Sequence, residues 1–326
     1  MNRPHTFLLQ FSFWDLTQLK KIHKGGLFVE SHSIRIQVPK IWMPTSLEAA
    51  TSIKKQFGLH STYVAGATLL QLRWQSAQAM PQHHINLEKI SALQQYNFEE
   101  KSLIIGALTK LSALRFDPTL KSTYPAISEA IKSIAAPAVR NRGTVGGNVM
   151  GGEGDLIPLL LAMQAEMTFL QEDRYKTVSM ADWVENRHSQ DDLLVKIAIP
   201  APSPVNSYTF YKKIGRRETF TAAIVTVSGQ ISWSESQAVT EVCLAIGGGS
   251  NKPGRLVKAE QYLTGKKIEQ IDWATAYRAI LDDYSPATDA FVTSNYKKKV
   301  AANLIISELQ HLLNTQVERE VPVYEM

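Results

Sequence analysis

The segment that decides the fold is RNRGTVGGN, residues 140–148. Its adjacent glycines permit positive φ and let another group come close to the main chain. Successive amides in such a turn can converge on an anion, and Thr144 and Asn148 add side-chain hydrogen-bonding groups. Farther along, Asp155 offers a carboxylate that can accept hydrogen bonds from ribose hydroxyls. The segment predicts a phosphate-binding turn, with a tight turn between core elements as the alternative.

A second glycine-containing turn lies in YVAGATLL, residues 63–70. A short strand at 62–65 is predicted to run into Gly66 and then into a helix. The first amides of that helix and its positive dipole end would favour a phosphate, whereas the simpler interpretation is a plain strand–helix connection. Neither turn contains the G-x-G-x-x-G fingerprint or the G-x-x-x-x-G-K phosphate loop, which disfavours a Rossmann domain and a P-loop ATPase.

The order of the predicted elements favours an α+β fold. Prolines 200, 202 and 204 predict a stiff linker between a larger and a smaller part of the 326-residue chain. In the smaller part a block of strands precedes a block of helices, which disfavours a doubly wound sheet. The strands are predicted at 208–211, 222–227 and 241–246, and the helices at 255–263, 272–281 and 294–313.

Helices and strands alternate before the linker. Thr45 and Glu48 have the spacing of a capping box, which predicts a helix that begins there and ends at Gly58. The apolar spacing predicts two further helices, one over 124–135 and one that Asp155 opens and that continues over 156–165. Besides 62–65, strands are predicted at 85–87 and 102–106.

The composition excludes several classes of function and of binding site. The formal charge of +5 is too small for a nucleic-acid binder of this length. The single cysteine, Cys243, excludes an internal disulfide, a thiolate zinc site and an iron–sulfur cluster, which needs about four cysteine ligands. It also indicates a reducing compartment, and we expect the cytoplasm. No segment approaches the roughly 18–20 apolar residues of a membrane span. No metal-ligand set and no hydrolytic Ser/His/Asp set is visible, so we predict no metal site and no catalytic residue on this chain.

Together these segments resemble the FAD-binding subunit of the molybdenum hydroxylases, a family that includes the medium subunits of xanthine dehydrogenases and aerobic carbon monoxide dehydrogenases. The resemblance runs from about Val38 to Leu313, and the TVGGN element after Arg140-Asn141 is its most specific part. The supporting segments are residues 44–50, 64–70, 136–148, 155–158, 211–217 and 244–248.

The resemblance implies a domain organisation. A two-subdomain, PCMH-like FAD-binding domain is expected at 38–200, divided into about 38–100 and 101–200. A smaller α+β domain with an antiparallel sheet and helices is expected at 207–318. The other predicted parts are an N-terminal extension at 1–37 of unknown role, a Pro-rich linker at 201–206 and a tail at 319–326.

The resemblance also implies a function. This chain would be the FAD-binding electron-transfer subunit of a hetero-oligomeric oxidoreductase. The molybdopterin would lie on a large partner subunit and the 2Fe–2S clusters on a small one, with electrons passing through FAD to NAD+ or another acceptor. The implied FAD-binding residues are Tyr63, Val64, Ala65, Gly66, Ala67, Thr68, Leu69, Leu70, Thr144, Val145, Gly146, Gly147, Asn148 and Asp155.

Three departures from the family pattern motivate an alternative. Ala67 stands where the family has its second glycine, and Leu69 stands where it has a polar residue. The loop at 149–154 is shorter and carries the negative charge of Glu153. The alternative is a flavin-free structural subunit that keeps the fold of such complexes. A flavin oxidase with FAD bound covalently through histidine is disfavoured, because neither turn contains a histidine.

Overall fold

The computed structural model describes residues 38–75, 80–171, 173–186, 192–203, 206–216, 223–249 and 251–320, the last with side chains to 312. The predicted N-terminal extension at 1–37 and residues 321–326 of the predicted tail lie outside the described residues. The fold is α+β, as predicted, and the described strands form three sheets.

The first sheet is parallel and carries the first glycine turn. Its strands β1 (Lys40–Trp42), β2 (Ser61–Val64) and β3 (His83–Asn86) lie in the order β1-β3-β2. The helices α1 (Leu47–Phe57) and α2 (Thr68–Gln75) precede and follow β2.

The N-cap of α1 is Ser46, whose hydroxyl accepts a hydrogen bond from the amide of Ala49 at 3.1 Å. The prediction that Thr45 is the cap was therefore wrong by one residue. The reason is that Ser46, rather than Thr45, is the residue before the first helical turn and has the extended backbone of a cap. The predicted end of the helix at Gly58 is confirmed, because Gly58 has a φ of 49° and its amide bonds the carbonyl of Lys54.

The second sheet is antiparallel and has the strand order β4-β5-β8-β6-β7. Its strands are β4 (Tyr96–Phe98), β5 (Ser102–Gly106), β6 (Glu166–Gln171), β7 (Arg174–Ser179) and β8 (Leu193–Pro200). Most of its helices fall between β5 and β6: α3 (Leu111–Phe116), α4 (Pro118–Thr123), α5 (Pro125–Ser133), α6 (Pro137–Arg142), α7 (Val145–Met150) and α8 (Ile157–Ala162). The helix α9 (Met180–Asn186) follows β7.

These helices fold onto the sheet through buried apolar faces. In α5, Ile127, Ala130 and Ile131 are buried at the spacing of one helical face. In α8 every residue is buried, and Pro158 lies in the first turn, where a missing amide costs little. The helix starts at Ile157, so the prediction that Asp155 opens it was wrong. Asp155 instead belongs to the turn that leads into α8.

The third sheet forms the C-terminal part of the fold, with the order β12-β11-β10-β9. Its strands are β9 (Ser207–Gly215), β10 (Ala223–Trp233), β11 (Val239–Gly247) and β12 (Gly254–Arg255). The helices α10 (Val257–Leu263), α11 (Trp273–Asp283) and α12 (Ser294–Glu320) follow. Val225, Val227 and Ile231 of β10 share a buried core with these helices, as the alternation of a strand requires. The opposite face of this sheet packs on α8, where the thiol of Cys243 donates to the carbonyl of Leu161.

Candidate functional site

The first glycine turn connects β2 to α2. The amide of Gln71 bonds the carbonyl of Ala67 at 3.0 Å and closes the first helical turn. Within the described part of the chain, no acceptor is found for the amides of Thr68, Leu69 and Leu70. Such unpaired donors at a helix N-terminus attract anions. The first turn therefore has the free amides that the sequence predicts.

The backbone of this turn is held in a left-handed conformation at Ala67, which has a φ of 60°. This conformation is unfavourable for a residue with a Cβ atom. The preceding residues of the predicted site, Tyr63 and Val64, pair with Ile85 and Asn86 of β3. They support the turn from the parallel sheet.

The second glycine turn forms the start of α7, and the amides of residues 145–148 are all bonded within the chain. The hydroxyl of Thr144 caps the helix by accepting from the amide of Gly147 at 3.0 Å, and the Thr144 carbonyl accepts from Asn148 at 3.0 Å. The two amides before these donate to carbonyls just after β5, Val145 to Thr109 at 3.0 Å and Gly146 to Ala107 at 2.9 Å. The predicted open nest of amides is therefore absent from this turn.

The glycines of α7 serve close packing instead. A Cβ atom at Gly146 would lie 2.6 Å from the carbonyl oxygen of Ala107, so no side chain fits there. A Cβ atom at Gly147 would lie 2.9 Å from the Thr144 hydroxyl and 3.7 Å from the Cβ of Ala65. The glycine pair thus lets α7 lie against β5 on one side and against the first turn on the other.

The two turns contact each other at both ends of α7. Before the helix, a Cβ atom at Gly66 would lie 1.9 Å from the carbonyl oxygen of Arg142. Beyond the helix, the Cδ2 of Leu69 lies 2.7 Å from the position of a Cβ atom at Gly151. Gly66 must be glycine because its neighbour is backbone, whereas a methyl group at Gly151 would displace the end of the Leu69 side chain. The free amides at the start of α2 consequently lie beside α7.

Asn148 and Asp155 connect α7 to the rest of the fold. The side-chain oxygen of Asn148 accepts from the amide of Leu156 at 3.1 Å. One carboxylate oxygen of Asp155 accepts from the ammonium group of Lys213 in β9 at 2.6 Å, and both side chains are largely buried. Lys213 also donates to the carbonyl of Ser133 at 3.1 Å. Only the second oxygen of Asp155 is left for the predicted ribose contact.

The ion pair lies in a buried polar seam between the second and third sheets. The phenol of Tyr211, on the same strand as Lys213, accepts from the hydroxyl of Ser133 at 3.2 Å. Burial, and then the negative charge of Asp155, raise the pKa of Tyr211 well above its ordinary value. The phenol therefore stays neutral.

Sequence reasoning missed the segment that follows β5. Ala107 and Thr109 supply the two carbonyls that hold α7, and Thr109 is fully buried. Lys110 pairs with Thr144 in an isolated bridge and donates to the carbonyl of Arg142 at 3.3 Å. The available signal was a polar pair, Thr109-Lys110, shortly after an apolar strand, where functional residues are common.

The described residues offer neither a membrane-spanning helix nor a group of metal ligands. None of their helices is long and apolar enough to cross a membrane. In the same part of the chain, no three His, Cys, Asp or Glu side chains are grouped as a metal site requires.

Comparison with known proteins identifies both halves of the chain. Residues 34–202 match the family described as the FAD binding domain in molybdopterin dehydrogenase. Residues 209–312 match the CO dehydrogenase flavoprotein C-terminal domain. The first match alone covers more than half of the 326 residues.

Individual relatives match most of this chain and most of their own length. The medium chain of carbon monoxide dehydrogenase from Afipia carboxidovorans is 27% identical, over 80% of this chain and 92% of the relative. Caffeine dehydrogenase subunit beta from Pseudomonas sp. is 26% identical, over 79% and 89%. A solved carbon monoxide dehydrogenase chain from Hydrogenophaga pseudoflava superimposes with a TM-score of 0.77 at 25% identity, covering 83% of this chain and 95% of that one. The chain therefore belongs to the family of FAD-binding domains of molybdopterin dehydrogenases.

Proposed function

We propose that this chain binds FAD as the electron-transfer subunit of a molybdopterin-dependent dehydrogenase or hydroxylase complex. The observation that carries the proposal is the pair of abutting turns, which sets the free amides of Thr68, Leu69 and Leu70 beside α7. Three unpaired donors at a helix N-terminus fit the diphosphate of a dinucleotide. Bound FAD would supply the redox chemistry, accepting electrons from one partner and delivering them to an acceptor.

The residues of the two turns would then have different roles. Residues 63–70 would bind the diphosphate through the main chain of the turn and of α2. Residues 144–148 would form the wall behind it, because the amides of residues 145–148 are already bonded within the chain. Asp155 would accept from a ribose hydroxyl through the carboxylate oxygen that Lys213 leaves free.

The proposed partners would supply the cofactors that this chain cannot bind itself. Its single cysteine cannot bind an iron–sulfur cluster, so electrons must reach FAD from another polypeptide. The names of relatives, such as a carbon monoxide dehydrogenase medium chain and a caffeine dehydrogenase subunit, support a multi-subunit complex. We propose a large molybdopterin subunit and a small 2Fe–2S subunit as partners, NAD+ or another oxidant as the acceptor, and the cytoplasm as the location.

Three observations favour a second candidate, the flavin-free structural subunit. Ala67 has the unfavourable φ of 60°, Leu69 brings no polar group to the turn, and the amides of α7 are bonded within the chain. Each of these removes a contribution to FAD binding that the sequence pattern predicts. The free amides at α2 favour the FAD-binding candidate over this one.

Titration of the purified chain with FAD separates the two candidates. We expect stoichiometric uptake, detected by the visible flavin absorption and by a change in flavin fluorescence. The variant Gly66→Ala should lose binding, because its methyl group would overlap the Arg142 carbonyl and part the two turns. The matched control is Gly254→Ala, where nothing lies within 4 Å of the new methyl group.

A folded wild-type chain that takes up no FAD would establish the structural candidate, with folding checked by circular dichroism. In the purified complex, reduction by the substrate followed by addition of NAD+ tests the acceptor. Formation of NADH would support NAD+, and its absence together with reduction of an artificial dye would point to another oxidant.

A further inference from the structure

Leu69 lies where the first turn reaches the C-terminal end of α7. It is the second residue of α2, and its Cδ2 occupies the space next to Gly151, the C-cap of α7. The side chain is 41% exposed, so more than half of it is covered. An apolar contact therefore joins α2 to α7 at the position where the family resemblance predicts a polar residue.

The rest of α2 packs loosely. None of its residues is fully buried, Leu70 is half-buried, and Leu72 and Trp74 are 60% and 57% exposed. Two close contacts join this segment to the neighbouring turn, Gly66 on the Arg142 carbonyl and Leu69 on Gly151. The first lies just before α2 and the second within its first turn, so both constrain the start of the helix.

The same first turn carries the free amides. The amide of Leu69 belongs to the residue whose side chain packs on Gly151, so loss of that packing would release the first turn of α2 and with it the donors of Thr68, Leu69 and Leu70. When only a fraction of the molecules has the binding-competent arrangement, the apparent affinity is the intrinsic affinity multiplied by that fraction.

We propose that Leu69 is a positioning residue, whose packing on Gly151 holds the amides of α2 in the anion-binding arrangement before the cofactor arrives. The side chain itself offers no group that can bind a phosphate. This inference rests on the proposed function for its cofactor, FAD, and adds a residue through which the affinity of that site is set.

A reciprocal pair of substitutions tests the contact. Leu69→Ala removes it, and Gly151→Ala displaces Leu69, because the new methyl group would lie 2.7 Å from Cδ2. Alanine suits the backbone at this position, where φ is −64° and ψ is −20°. Each single variant should weaken FAD binding about tenfold, which corresponds to a competent population of about one-tenth.

The double variant distinguishes positioning from general damage. The methyl group of alanine at 151 would fill part of the space that Leu69 leaves, so the combined loss should be smaller than the product of the two single losses. Leu69→Met keeps an apolar contact with Gly151 and should retain affinity within about twofold. The matched control is Leu72→Ala, one turn farther along α2, which should bind FAD like the wild type.

Wild-type affinity in Leu69→Ala, or a double variant whose loss equals the product of the single losses, would overturn the proposal. If the wild-type chain takes up no FAD, the proposed function fails and this inference is decided by hydrogen exchange. In that case exchange over residues 65–75 must be faster in Leu69→Ala than in Leu72→Ala. Equal exchange in the two variants would refute the positioning role.

Discussion

At the scale of single residues, the first turn requires space at Gly66 and a left-handed backbone at Ala67. A pair of glycines would satisfy both requirements. Gly66 is needed for space, because a Cβ atom there would lie 1.9 Å from the carbonyl oxygen of Arg142. Ala67 carries the left-handed conformation, with a φ of 60°, although it has a Cβ atom. The chain keeps glycine where a side chain would overlap the backbone, and it tolerates strain where the Cβ atom costs only a modest energy.

Ala67→Gly should therefore stabilise the protein by about 0.5–1 kcal/mol. The left-handed conformation costs an alanine about 1–2 kcal/mol, which exceeds the roughly 0.4–1 kcal/mol that glycine loses through a freer unfolded chain. Urea unfolding measures the difference. As a control, Ala49→Gly inside α1 should lose about 1 kcal/mol. Equal losses in the two variants would show that Ala67 is not strained.

At the scale of elements, α7 forms a wall of the proposed site. Its own first amides are bonded within the chain and are not available to a ligand. Its N-terminal donors are bonded to Thr144 and to the segment after β5, and its glycines permit contact on two sides. Its orientation depends on the Thr144 cap, because that hydroxyl accepts from Gly147 at the point where Ala65 approaches.

Two helix caps allow a matched comparison. Thr144→Ala on α7 and Ser46→Ala on α1 should each lower the free energy of unfolding by about 1 kcal/mol, since each removes one N-cap hydrogen bond. Thr144→Ala should weaken FAD binding more than Ser46→Ala, because Thr144 caps the helix that forms the wall of the site, whereas α1 packs on β2 before the turn. Equal FAD affinities in both variants would contradict the role assigned to α7.

At the scale of the whole molecule, the ion pair of Lys213 and Asp155 joins the C-terminal sheet to the site. The pair links β9 to the turn before α8, and the next amide, of Leu156, bonds the side chain of Asn148 in α7. The side chains of Lys213 and Asp155 are 7% and 16% exposed, so each charge depends on the other.

Asp155→Asn should lower the free energy of unfolding by about 2–4 kcal/mol, because it leaves the buried ammonium group of Lys213 without its counter-charge. The double variant Asp155→Asn/Lys213→Met should lose less than the single one, since no unpaired charge remains. The neighbouring Lys212→Met is the control: this lysine is 46% exposed and pairs with Glu308, and its loss should cost about 1 kcal/mol or less. A double variant less stable than Asp155→Asn would contradict the pairing.

Sequence patterns predicted the helices and strands whose apolar spacing is visible within a short stretch of residues. The C-terminal strands and helices were predicted within a few residues at most ends, although α12 extends to Glu320. The strands β6, β7 and β8 were missed. β6 is buried at successive positions and β7 is exposed at most of its positions, so neither shows the alternation that identifies a strand.

The sequence by itself determined that two glycine turns occur, which family pattern they follow and that any iron–sulfur cluster must lie on another chain. Only the tertiary structure decided which turn leads into a helix with free first amides and where Asp155 points. The amides of Val145 and Gly146 are bonded by carbonyls of Thr109 and Ala107, and Asp155 is paired with Lys213. Those partners are far away in the chain, and hydrogen bonds between distant segments leave no periodicity or spacing in a local stretch of sequence.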